Sequence, residues 1–88
     1  MSFTEVWKNI CDNAGEVFYT VTNLEFTYQM DSNQLRPSRT NQNIPKSSFE
    51  KAYEQWPMKS PAEMPDTVRG PSYVFAILAD KRIQSNKP

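Results

Sequence analysis

At residues 3–14 the apolar positions Phe3, Val6, Trp7, Ile10 and Ala14 recur at spacings of three and four. That period predicts an amphipathic helix over 3–13 with one dry stripe. Asn13 and Gly15 supply its stop, because both tolerate left-handed backbone. From residue 16 the period changes to two. Leu24, Phe26, Tyr28 and Met30 alternate with Glu25, Thr27 and Gln29, the mark of a strand with one wet and one dry face. A two-residue loop at Thr22-Asn23 pairs Val21 with Leu24, Tyr19 with Phe26 and Val17 with Tyr28, so that all six are expected on the buried face. Phe18 then falls on the outer face with Thr20, Glu25 and Thr27. Thr22 fits poorly in the positive-φ site of a tight turn, so a three-residue loop with a bulge is the alternative.

After the turn cluster Asp31-Ser32-Asn33, residues Gln34, Leu35 and Arg36 are short enough to return as a third strand. Pro37 ends that strand or confines it to an edge. Residues 38–46 are polar and bury little except Ile44. A helix is expected over 48–56, with Phe49, Ala52, Tyr53 and Trp56 on one stripe and Pro57 as its stop. Ser-x-x-Glu occurs at Ser2/Glu5, Ser47/Glu50 and Ser60/Glu63, a capping pattern that places three helix starts. The third of these opens a short helix at 61–64 with Pro61 in its first position. The run at 71–79 has the length and residue types of either a buried strand or a helix. The Gly70-Pro71 entry and the Lys81-Arg82 exit favour helix. Being apolar on most sides, it belongs at the centre or at an interface.

Together these elements predict an α+β domain over 1–83: an N-terminal helix, a two- or three-stranded antiparallel meander, and C-terminal helices packed on one face. Residues 84–88 are expected to be a flexible polar tail.

Composition narrows the chemistry. The chain has 88 residues, with ten acids balancing ten bases, so no global field draws it toward nucleic acid or an anionic membrane. The balance is uneven, however. Residues 1–31 hold five acids and one base, and residues 32–88 hold five acids and nine bases. One cysteine, Cys11, and no histidine leave no intrachain disulfide, structural zinc site or histidine-based triad within one chain. Cys11, beside the helix stripe, is expected to be a small buried hydrophobe. The longest apolar run is too short to span a bilayer, and the N-terminus lacks a signal-peptide pattern. A cytoplasmic location without membrane, metal or cofactor is therefore expected.

The motifs Gly15-x-x-Phe18-x-Thr20, Phe26-x-Tyr28, Arg36-x-x-Arg39-Thr40, Ile44-x-Lys46-Ser47-x-Phe49-Glu50-Lys51-Ala52 and Arg69-Gly70-Pro71-Ser72-Tyr73 resemble a small uncharacterised bacterial protein family. Its members are short stand-alone proteins of bacterial and mobile-element gene neighbourhoods. The resemblance implies a bacterial single-domain protein and carries no activity or catalytic residue.

The strongest candidate site is the basic stretch Arg36, Arg39 and Lys46, interleaved with hydroxyl and amide side chains and leading into a helix start. Arg69 is a fourth base. A helix N-terminus favours anions, and arginine grips phosphate or carboxylate through two bonds. The ordinary alternative is a solvated loop. The expected function is a small non-enzymatic binding or accessory protein that contacts an anionic ligand or a nucleic-acid backbone there. The alternative is a protein-interaction or homo-oligomerising module using Phe18, Tyr73 and Phe75. An enzyme ranks third, since no phosphate-binding glycine loop or paired carboxylate emerges.

Overall fold

The computed structural model describes residues 2–84 and has the α+β architecture. Helix α1 (Phe3–Asp12) opens on a complete capping box. The Ser2 hydroxyl accepts from the Glu5 N–H at 3.3 Å, and the Glu5 carboxylate accepts from the Ser2 N–H at 3.0 Å. The predicted stripe is the buried one: Val6 and Ile10 are fully enclosed and Trp7 nearly so. Cys11 lies the other way and is exposed. It follows Ile10 by one residue, about 100° round the helix, which carries it off the stripe.

The other two boxes do not close. Helix α2 (Lys46–Glu54) starts two residues earlier than Ser47/Glu50 predicts. Its N-cap is Pro45, without a side-chain bond. Ile44 and Pro45 form a strand, and the Lys46 N–H donates to the Asn33 carbonyl at 2.7 Å, so the chain enters the helix directly from a sheet. Ser60 likewise precedes a 3₁₀ turn (Pro61–Glu63) without capping it. Replacing Ser2 by alanine is therefore expected to cost about 1 kcal/mol of stability. Ser47→Ala should cost almost nothing, and urea denaturation of the two variants measures the contrast.

The β region is two sheets. β1 (Phe18–Tyr19) and β2 (Glu25–Phe26) make a hairpin. β3 (Tyr28–Asp31), β4 (Gln34–Pro37) and β5 (Ile44–Pro45) make an antiparallel sheet in that order. Pro37 ends β4, as its missing N–H requires. The break between sheets falls at Thr27, whose N–H donates to the Ser38 hydroxyl while its carbonyl accepts from the Ser38 N–H.

The hairpin register differs by one residue from the two-residue-loop expectation. Phe18 faces Phe26 and Tyr19 faces Glu25. The loop holds three residues, 21–23, with Asn23 at φ 69°. Thr20 sets its length: its N–H donates to the Leu24 carbonyl at 3.0 Å, and its hydroxyl accepts from the Leu24 N–H at 3.1 Å. A slip of one residue exchanges the faces of a strand. Phe18 is consequently 1% exposed, whereas Tyr19 is 54% exposed.

Helix α3 (Pro71–Ala79) is central, with Val74, Phe75, Ala76, Ile77 and Leu78 all buried. Gly70 caps it in the left-handed conformation at φ 54°. A further turn, α4 (Lys81–Gln84), follows Asp80 and buries Ile83 against α1. There the Asn9 side-chain amide donates to the Ile83 carbonyl at 2.9 Å. Gln84 thus belongs to the fold, and the remainder of the expected tail, 85–88, lies outside the described residues. Among the described residues no helix is long and apolar enough to cross a membrane.

Candidate functional site

The four expected anion-binding residues make separate contacts. Arg36 lies on the exposed face of β4 and donates through Nε to the Asn43 side-chain oxygen at 2.9 Å. Arg39 donates to the Glu25 backbone carbonyl at 3.2 Å. Lys46 places its ammonium 5.7 Å from the centre of the Trp7 ring. The Arg69 backbone N–H donates to the buried Ser48 hydroxyl at 3.3 Å, and its side chain is exposed. No contact among the described residues joins any two of the four. Lys46 alone lines the open cavity of about 570 Å³ at the start of α2, with Thr4, Ser47, Asn33, Gln34 and Glu50 among the other walls.

The three aromatic residues expected at an interface pack inside the molecule. Phe18 stacks on Phe26 and Tyr28 at ring distances of 6.0 and 5.3 Å. Tyr73, half-buried, meets the Phe26 ring edge-on at 5.0 Å. Phe75 is buried under Trp56 at 5.5 Å. The Tyr28 hydroxyl donates to the Ile10 carbonyl near the end of α1. Burial of that phenol pushes its ionisation above the ordinary tyrosine range.

Sequence reasoning missed the role of Arg82, because nothing in Asp80-x-Arg82 marks it. Its guanidinium grips the Asp80 carboxylate through two bonds of 2.9 and 3.0 Å. It also lies 4.0 Å from the Phe18 ring centre and donates to the Val17 carbonyl at 2.8 Å. Glu16 stands 3.9 Å away on the solvent side. Arg82 thereby ties α4 to β1. The bonds from Arg82 hold the Asp80 carboxyl below its ordinary 3.8. The stabilisation is present above that unfolded value and is lost as pH falls through the lower folded value. Asp80→Asn should flatten the part of the acid-unfolding curve below about pH 4 by roughly 0.5–1 kcal/mol, as read by circular dichroism.

Sequence reasoning also misplaced the exposed apolar surface. Among the described residues the exposed large hydrophobic side chains are Val17, Tyr19, Val21 and Leu24, and all belong to the hairpin. Tyr19 lies in β1 and faces opposite to Phe18, Val17 just precedes the strand, and Val21 and Leu24 sit at its loop end. Glu25 flanks Tyr19 across the strand pair on the same outer face. The signal was the alternation Val17-x-Tyr19-x-Val21 itself. The loop length decided which side it faced.

No metal-sized group of three or more Asp, Glu or Cys occurs among the described residues. Comparison with protein-family profiles, with curated proteins and with solved structures gave no match to this chain.

Proposed function

We propose that the protein is a small non-enzymatic interaction module that binds another protein through the outer face of the β1–β2 hairpin. One observation carries this reading: the exposed Val17, Tyr19, Val21 and Leu24 gather on one hairpin instead of scattering over the surface. Single exposed apolar residues are ordinary, but a contiguous group on a rigid element is what partner surfaces are made of. Tyrosine in particular anchors such contacts. The test is a photo-crosslinking residue placed at Val21 or, as control, at Gln29 on the exposed face of β3. Adducts in the cells that make the protein are expected from position 21 and not from 29. Equal labelling at both would sink the reading.

A second reading has its own observation. Lys46, Thr4 and Ser47 line one open cavity at the start of α2, where helix N–H groups and the ammonium favour an anion. Because Lys46 also lies over the Trp7 ring, occupancy by phosphate or a nucleic-acid backbone is expected to change Trp7 fluorescence. A phosphate titration without such a change removes this reading.

A further inference from the structure

The hairpin carries more than a sticky face. In an antiparallel pair, residues alternate between those that bond each other and those whose peptide groups point away. Thr20 and Leu24 are a bonded pair, so Phe18 and Phe26 are the next. Tyr19 and Glu25, between them, turn their N–H and C=O groups outward. The Glu25 carbonyl does so visibly, since it accepts from Arg39 on the far side of β2. The Tyr19 N–H and C=O accordingly face the opposite, β1 edge. No turn, cap or side-chain hydrogen bond among the described residues reaches them.

Exposed strand edges are normally closed. Here arginines close two of the three steps: Arg39 covers β2 at Glu25, and Arg82 covers β1 at Val17. The step at Tyr19 stays open, and the exposed apolar stripe borders it.

Resting on the proposed reading of this face, we infer that β1 takes up an extended segment of a partner protein as an added strand. The segment bonds to the Tyr19 peptide group. It carries apolar side chains toward Val17, just before β1, and toward Val21, in the loop just after it, with a lysine or arginine between them that crosses the Tyr19 ring toward Glu25.

Two arguments select this occupant over a second copy of the chain. The first is area. A standard interface buries about 800 Å² per partner, far beyond four half-exposed side chains. Strand addition needs less, because main-chain bonds supply affinity and alternate side chains supply selectivity. The second is charge. Glu25 is exposed on the same outer face as Tyr19, whereas Glu16 already faces Arg82 at 3.9 Å. Two copies would set like charges on one short sheet. A cationic side chain instead meets the carboxylate and the ring face together.

The experiment uses the whole chain to select from a phage-displayed random dodecapeptide library, followed by fluorescence anisotropy with one synthetic winner. Enriched sequences should show apolar, any, Lys or Arg, any, apolar. Tyr19→Ser and Glu25→Lys should each weaken the synthetic peptide about tenfold or more. Methylation of the backbone nitrogen of the central basic residue should do the same. Unchanged affinity on that methylation, with loss on Tyr19→Ser, overturns strand addition while the outer face remains the binding surface. Affinity unchanged by Tyr19→Ser and by Val21→Ser overturns both. Selection of peptides without the spacing overturns the inference. So does a sedimentation mass of twice 10.2 kDa that reverts in Tyr19→Ser, because a second copy then covers the edge.

Discussion

Replacing Phe18 by alanine should lower the unfolding free energy by about 3–5 kcal/mol, the range for deleting a buried aromatic ring. Tyr19→Ala, one residue along, should change it by less than about 1 kcal/mol. Phe18 is 1% exposed and Tyr19 is 54% exposed. Phe18 also holds the Phe26 and Tyr28 rings and lies beneath Arg82, so its loss loosens both sheets and α4 together. For a domain whose total stability is about 5–15 kcal/mol, the Phe18 variant should show a urea midpoint far below the parent. The opposite ranking of the two variants would restore the two-residue loop and its register.

Gly70→Ala is the second large effect, at about 2–4 kcal/mol. Two costs combine. The left-handed backbone at φ 54° penalises any Cβ, and the new carbon would stand 2.7 Å from Ile44 Cδ1 and 3.3 Å from its Cγ1. Ile44 is fully enclosed and has little room to yield, so overpacking adds to the backbone term. Gly15 provides the control. Its φ is 90°, but a Cβ there meets nothing within 4 Å, so Gly15→Ala should cost only the backbone term of about 1–2 kcal/mol. Thermal denaturation of the pair separates the two costs, and equal losses would show that Ile44 moves aside freely.

Elements whose evidence is local were legible in the sequence. The 3–4 spacing of Val6, Trp7 and Ile10, and the Gly70-Pro71 entry to a uniformly apolar run, each fix a helix without reference to the rest of the chain. The alternation Leu24, Phe26, Tyr28, Met30 holds in its last three members, for Phe26 and Tyr28 are buried and Met30 is half-buried, while Leu24 is exposed beside the loop; it holds even though the chain passes from one sheet to the other between Phe26 and Tyr28. What failed depended on one choice of loop length. The Thr20 hydroxyl competes for the Leu24 N–H and adds a residue to the loop, which reverses every side chain on the first strand. Phe18 moves to the core, and the real exposed surface becomes Val17, Tyr19 and Val21. The basic stretch is dispersed for a related reason. Proximity along the chain placed Arg36, Arg39 and Lys46 together, but β4, the 38–43 connection and α2 send them to Asn43, to the Glu25 carbonyl and to Trp7. The Ser47 box was overridden because a strand at Ile44–Pro45 delivers the chain straight into α2.

The docking of α4 on α1 bears on how the molecule is made. The Asn9–Ile83 hydrogen bond spans 74 positions, and Arg82 reaches back to Val17 and Phe18. During synthesis α1 leaves the ribosome first and α4 last among these elements. The parts of α1 and of β1 that α4 covers therefore remain open until Arg82 and Ile83 have emerged, although Phe49 already meets Trp7 and Phe26 and Tyr28 already meet Phe18. A chain stalled before Asp80 presents those surfaces to solvent and to its neighbours. Non-local closure of this kind is slow relative to local helix formation, and uncovered apolar surface invites aggregation meanwhile. Nascent chains halted short of residue 80 should thus be the protease-sensitive, chaperone-bound form, and release past residue 84 should be the step that ends it.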